Sequence, residues 1–346
     1  MIKNRNYSLD LLRVIACYLV IQQHASEFYY IGEGGTVVTG SNTFWIGIIT
    51  TLCRSSVPLF VMLSGFLLLP MQDKISTFFR KRFTRIVYPF IAWCVLYAGY
   101  YVLSRGDSFS QMALNILHIP VNFGCEIGHL WYIYMLIGLY LVTPIISPWL
   151  QQASKRELEG YLGLWIITTI HLVYPEVLGE AFWNDTPLLY YFTGFIGYFI
   201  LGYYLKRFGY PSAALSWIIL IVGFALSAGI FCSRIDTVPT VPELELSWGF
   251  CTVNVFLMTL GLFSLIGRLS LKGKNAACKL LSDISIKSYG MYLAHILFLN
   301  FYYGLFKSIS DAAYVTIPLI AVCTFITVYI FVYLLSYLPK SKYIIG

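Results

Sequence analysis

The chain has 346 residues, of which 58% are hydrophobic and 11% charged, and its mean hydropathy is +0.73. Soluble domains run about 25% charged, so a soluble globular fold is excluded and a multispanning membrane protein is indicated. A net charge of +7 would fit a nucleic-acid partner in a soluble protein. In a membrane chain Lys and Arg are topology signals, and no nucleic acid is called for.

Ten runs are apolar and long enough to read as spans: roughly 9–30, 44–69, 86–104, 129–149, 160–175, 187–205, 212–232, 248–267, 285–303 and 314–338. With the N-terminus in the cytoplasm, the cytoplasmic segments hold 18 of the 23 basic residues. The opposite loops hold Arg105, Arg234 and Lys307, while Arg13 and Arg54 fall inside spans. This bias supports ten spans and two cytoplasmic termini, because one missed helix would invert everything after it. The expected fold is therefore all-α, a polytopic bundle of ten transmembrane helices. No linker, repeat or low-complexity tract divides it, so 1–346 reads as one membrane-integral domain. The eight cysteines form no CxxC pair and suggest neither a disulfide framework nor a metal site. The basic start resembles a signal peptide, but Arg13 interrupts the apolar region and no small-residue cleavage site follows. It reads as a retained first helix.

That first helix carries Arg13 and His24, eleven residues apart. Eleven residues make three helical turns, so both side chains share one face at depths about 16 Å apart. Ionisable residues inside a bilayer are costly and are candidates for function. Arg13 also suits snorkelling to the interface, and His24 also suits a histidine bonded across helices. Glu27, three residues on, lies on nearly the same face and is placed to orient the imidazole. In the second run Arg54 is expected near mid-depth, about two turns deeper than His24 and within its reach. Pro58 should kink this helix and free backbone carbonyls. Four basic residues, Arg80, Lys81, Arg82 and Arg85, precede the third run. They read either as topology and lipid-headgroup contacts or as a cytoplasmic phosphate site, for which Arg is well suited. His129 and Trp131 open the fourth run, and Trp131 also fits an interfacial belt. His118, His171 and His295 likewise fall on the outer side. No more than two of the five histidines are expected to share a site, and none shows metal-ligand spacing. No nucleophile elbow, P-loop or dinucleotide fingerprint is present. The chemistry is left to His as base or nucleophile, supported by Arg and Glu.

Several segments then match a known pattern in order. Asp10-Leu11-Leu12-Arg13, with His24 ten residues beyond, resembles the R-x10-H signature of the membrane-integral acyltransferase-3 family. Ser56-Val57-Pro58-Leu59-Phe60-Val61-Met62-Leu63-Ser64-Gly65-Phe66 resembles its second-helix motif, and Arg80-Lys81-Arg82 through Pro89 its basic entry to helix three. His129-Leu130-Trp131 and Ser288-Tyr289-Gly290-Met291-Tyr292-Leu293-Ala294-His295 resemble two later segments. The chain is most similar to the stand-alone branch that O-acetylates surface polysaccharide such as enterobacterial common antigen. The Val-Glu-Glu run of some members is missing. The resemblance implies transfer of acetyl, or another short acyl group, from acetyl-CoA to a hydroxyl of a cell-surface polysaccharide or its lipid-linked precursor. It implies a bacterial inner-membrane enzyme whose partners are the lipid bilayer, acyl-CoA and a carbohydrate acceptor, with a homo-oligomer left open.

On that reading His24, Glu27 and Arg54 are the catalytic candidates: base, orienting carboxylate and oxyanion support. A transient acetyl-histidine is the alternative mechanism. Arg13, Arg80, Arg82 and Arg85 are assigned to the acyl-CoA, and His129, Trp131 and His295 to the acceptor, with no metal. A cavity from the basic mouth to the imidazole is expected. The competing reading is a transporter or flippase for a polar lipid-linked sugar. Intramembrane Arg and His suit that too, but no inverted repeat supports it.

Overall fold

A computed structural model describes residues 5–171, 189–271 and 275–346. Among these residues the chain is helical, with two isolated β-bridges and no strand. Five helical stretches are long and apolar enough to cross a membrane: Thr43–Leu68, Ile75–Ser104, Trp131–Gln152, Ala213–Arg234 and Ala313–Leu335. The protein is thus a multi-pass helical membrane protein.

The first helix, α1 (Tyr7–Glu27), is started by Asn6, whose side chain accepts hydrogen bonds from the Ser8 and Leu9 N–H groups. The predicted run 44–69 is two helices, α2 (Thr43–Cys53) and α3 (Ser56–Leu68), separated at Arg54 and Ser55. Pro58 cannot donate to the Arg54 carbonyl four residues back, so the ladder fails at Arg54, one turn before the proline. Next come α4 (Ile75–Arg82), a π turn over Phe83–Val87, and α5 (Tyr88–Ser104). Pro89 has the same effect on the Arg85 carbonyl, and the Tyr88 N–H reaches back to Phe83 instead.

The segment expected to be an external loop, 105–128, holds two short helices, α6 (Phe109–Leu117) and α7 (Phe123–Glu126). Then follow α8 (Trp131–Gln152) and α9 (Lys155–His171). The expected end of the fifth run at 175 and start of the sixth at 187 lie outside the described residues. The sixth helix, α10 (Ile196–Phe208), starts later than expected. The remaining helices are α11 (Ala213–Arg234), α12 (Val241–Glu245), α13 (Val253–Gly267), α14 (Ala276–Lys307), α15 (Ala313–Leu335) and α16 (Lys342–Ile345). At 32 residues, α14 runs well past the predicted 285–303 at both ends.

Two packing features position the site. First, α1 lies against α2, α3, α13, α14 and α15, so its polar side chains are enclosed by protein. Second, α3 and α10 meet backbone to backbone. A Cβ on Gly65 would overlap the Phe199 carbonyl, and one on Gly202 would overlap the Met62 carbonyl. Small residues allow this approach where no hydrophobic effect drives helices together in lipid. Gly202→Ala is therefore expected to cost about 1–3 kcal/mol and lower the unfolding temperature in detergent. Gly99→Ala, with open space around it, is expected to leave that temperature unchanged.

Candidate active site

The two ends of α1 carry two distinct polar clusters. At its N-terminal end Asp10 is buried and held on three sides. Arg5 donates to it through Nε at 2.6 Å and Nη2 at 3.0 Å, and the Ser285 hydroxyl donates at 2.7 Å. Arg13 Nη1 donates to Ser285 Oγ at 3.1 Å and stands 4.0 Å from Asp10. Asp10 and Ser285 thus fix the Arg13 side chain in one pose, with α1 and α14 tied together through it. Arg13 opens into a cavity of about 260 Å³, partly open to solvent. Arg82 and Arg85 line the same cavity, with apolar Leu63 and Leu67 and with Tyr132, Tyr140 and Tyr292. The Arg82 guanidinium lies over the rings of Phe78 and Tyr140, at 5.5 and 5.8 Å. Arg80 is exposed and is not part of the lining.

At the C-terminal end His24 Nδ1 meets Glu27 Oε2 at 2.7 Å. A carboxylate only accepts, so Nδ1 carries the hydrogen and Nε2 is the nitrogen left for chemistry. His24 and Glu27 line an open pocket of about 270 Å³, together with Phe28, Ile31, Ile296, Leu299 and Asn300. Behind His24 stand two more histidines. Its ring centroid is 5.3 Å from that of His295 and 6.3 Å from that of His129, and those two are 4.9 Å apart. Three histidines share this site, one more than the sequence led us to expect. The third arrives because long α14 and the turn before α8 converge on α1, a placement no local spacing encodes. Both His129 and His295 are buried and line none of the pockets described here. Among the described residues, no group of three or more His, Cys, Asp or Glu is arranged to hold a metal ion. His118 sits apart at the end of α6, and the His171 side chain lies outside the described residues.

Arg54 is buried at the α2–α3 break, at 3% exposure. Its Nη2 donates to Glu245 Oε1 at 2.8 Å and contacts the Tyr30 hydroxyl at 3.1 Å, and Tyr30 in turn donates to Glu245 at 2.6 Å. The guanidinium also lies 4.8 Å over Trp248. Arg54 is thus bound to Tyr30, just beyond the end of α1, and to Glu245 at the end of α12. Burial raises the Glu245 carboxyl, but the Arg54 charge and the hydrogen bonds from Tyr30 and Arg54 outweigh it and hold it below its usual range. Trp131 packs near Phe250 and Phe195, with centroids at 5.7 and 5.9 Å, and lines a separate apolar pocket of about 290 Å³.

The arginine cavity and the His24 pocket share no lining residue. The open cavity expected between them is closed by an aromatic layer. Tyr132 and Tyr292 end the arginine cavity, 5.7 Å apart by ring centroid. The Tyr292 hydroxyl donates to the His129 carbonyl, and its ring lies 5.6 Å from that of His129. Satisfying that hydroxyl fills the space a channel would need. Asp10, Ser285, Tyr292 and Glu245 were missed as site residues. Asp10 had a signal, its i,i+3 relation to Arg13; the others depend on contacts distant in sequence.

Removing Glu245 would leave Arg54 buried without its counter-charge. Glu245→Ala is expected to cost about 3 kcal/mol, read as a lower unfolding temperature in detergent. Asp73→Ala, which breaks the exposed pair with Lys81, is expected to cost under about 1 kcal/mol.

Residues 6–337 match the family described as Acyltransferase domain, the acyltransferase-3 family. Neither the curated proteins nor the solved structures gave a match. The matched region takes in the arginine cavity, the histidine group and both polar clusters of α1 except Arg5. With nearly its whole length matched, the chain belongs to the acyltransferase-3 family of membrane acyltransferases.

Proposed function

We propose that the protein moves acetyl, or another short acyl group, from acyl-CoA to a hydroxyl of a cell-surface polysaccharide or its lipid-linked precursor. Its single domain, 1–346, is read as crossing the bacterial inner membrane ten times with both termini cytoplasmic, as the placement of basic residues suggests. The observation that carries the reading is the arginine-lined cavity whose deep wall, Tyr132 and Tyr292, abuts the histidine group. CoA is cytosolic and polyanionic. Arg13, Arg82 and Arg85 fit its phosphates, exposed Arg80 adds attraction at the mouth, and the apolar lining fits the pantetheine arm.

In this scheme the acceptor binds in the pocket beside His24. His24 Nε2 removes the hydroxyl proton, with Glu27 holding the ring and stabilising the imidazolium. The acceptor oxygen bonds to the thioester carbon, the C–S bond breaks, and the imidazolium returns its proton to the departing thiolate. Arg54 supports the developing negative charge by its field, since Glu245 and Tyr30 hold its Nη2. Transfer requires the Tyr132–Tyr292 layer to part, so that the thioester reaches His24. His129 and Trp131 enter as acceptor-side residues, His129 through its backing of His24 and Trp131 through the aromatic pocket. A second reading, a flippase for a lipid-linked sugar, draws on the same closed layer between two pockets. Label from acetyl-CoA appearing on glycan separates the two.

His24→Ala, produced in cells lacking the enzyme, is expected to abolish the gain of one acetyl mass on surface glycans by mass spectrometry. Glycan still acetylated, with the variant present in the membrane, would contradict the role of His24. Arg13→Gln is expected to raise KM for acetyl-CoA about tenfold with kcat little changed. A loss in kcat alone would remove Arg13 from donor binding.

A further inference from the structure

His295 is fully buried, at 0% exposure, on α14 beside His24. Its Nδ1 stands 2.7 Å from the Tyr292 carbonyl oxygen one helical turn back. A carbonyl accepts and cannot donate, so that nitrogen carries the hydrogen. Neutral His295 then presents a lone pair at Nε2, and that atom is buried with no hydrogen-bond partner. A buried acceptor left unmatched is costly and rare, and it calls for a donor.

The His129 ring lies nearer, 4.9 Å away by centroid, but its Nε2 stands 3.4 Å from the Leu293 carbonyl, so its hydrogen is directed there and its Nδ1 can only accept. The other candidate, His24, is a donor only part of the time. With Nδ1 of His24 committed to Glu27, any proton taken by His24 sits on Nε2. A centroid separation of 5.3 Å lets facing ring nitrogens meet at about 3 Å, within hydrogen-bond range. We infer that His295 is a positioning residue whose bare Nε2 accepts the Nε2–H of His24 once His24 has taken a proton from the acceptor. This rests on the reaction proposed above and refines it. The imidazolium of His24 is then gripped from both sides, by Glu27 at Nδ1 and by His295 at Nε2. The proton moves from acceptor oxygen to His24 Nε2, where the N–H is bifurcated between the reacting oxygen and the His295 lone pair, and it passes to the thiolate as the C–S bond breaks. His295 ends as it began, and no bond to it forms.

The other charged or titratable groups around His24 are known. Glu27 lies on its own helix, His129 at the turn before α8, and Glu245 at the end of α12 with Arg54 bound to it. None of these occupies the His295 lone pair. The arrangement also gives Tyr292 a second task. Its carbonyl sets the His295 tautomer while its hydroxyl holds the His129 carbonyl, so one residue of the aromatic layer orients both histidines.

Nitrogen NMR on 15N-histidine protein in nanodiscs tests this without a substrate. The expected result is an unprotonated Nε2 on His295 at neutral pH. On acidification, a 15N–15N coupling across the hydrogen bond should then join His24 to His295. A protonated His295 Nε2, or no coupling once His24 is charged, overturns the inference. Variants give an independent reading in membrane vesicles supplied with labelled acetyl-CoA. His295→Gln keeps an acceptor oxygen near the Nε2 position and is expected to retain kcat within about threefold. His295→Asn keeps only the Nδ1-side group and is expected to lose about tenfold or more in kcat, with KM for acetyl-CoA unchanged in both. Equal losses in the two variants would mean a packing role and overturn it. Wild-type protein that moves no label would sink the proposed reaction itself, while the nitrogen spectra would still decide the histidine pairing.

Discussion

A bilayer offers no water to an ionisable side chain, so each one within it must find its partner in the protein. The first helix concentrates this constraint, with Asp10 and Arg13 near one end and His24 and Glu27 near the other. Among the described residues five helices pack against it, and its charged groups are answered: Asp10 by Arg5 and Ser285, Arg13 by Ser285, His24 by Glu27. Much of the bundle can be understood as the enclosure these groups demand. The close approach of α3 and α10 through Gly65 and Gly202 serves the same end, because it keeps α3 firmly against α1.

The two ends of α1 differ in character. The Arg13 end has a cavity whose walls mix cationic, aromatic and aliphatic groups, as a long anionic molecule with a thin arm would need. The His24 end has a shallower pocket backed by buried imidazoles. Between them lies the Tyr132–Tyr292 layer, in which the Tyr292 hydroxyl is spent on the His129 carbonyl. On the proposed reaction, donor and acceptor would meet only when this layer parts, which would tie acyl transfer to a local motion of Tyr132 on α8 and Tyr292 on α14.

Sequence alone made the helical class legible, because apolar runs of the right length and a biased distribution of Lys and Arg are local properties. It also made the Arg13 and His24 face legible, since three helical turns fix relative orientation. The His24–Glu27 contact followed from the i,i+3 rule and is present at 2.7 Å. What failed was anything set by contacts far apart in the chain. The partners of Arg54, Tyr30 and Glu245, lie 24 and 191 residues from it in the chain and could not be read from local spacing. His295 joined His24 and His129 through helix packing that no periodicity reveals. The break at Arg54–Ser55 is the kink expected of Pro58: proline removes a hydrogen bond four residues behind it, so the ladder ends before the proline itself. Arg80 illustrates the limit of counting charges, since of the neighbouring arginines only Arg82 and Arg85 face the cavity.

The central claim is that the acyl donor enters by the arginine cavity and is handed across the aromatic layer to His24. Photo-crosslinking with a CoA thioester bearing a reactive acyl end, mapped by mass spectrometry, tests it most directly. The account predicts adducts on the cavity wall, at Leu63, Ser64, Tyr132 and Tyr292. Adducts confined to Phe28, Ile296 and Asn300, on the far side of the layer, would contradict it.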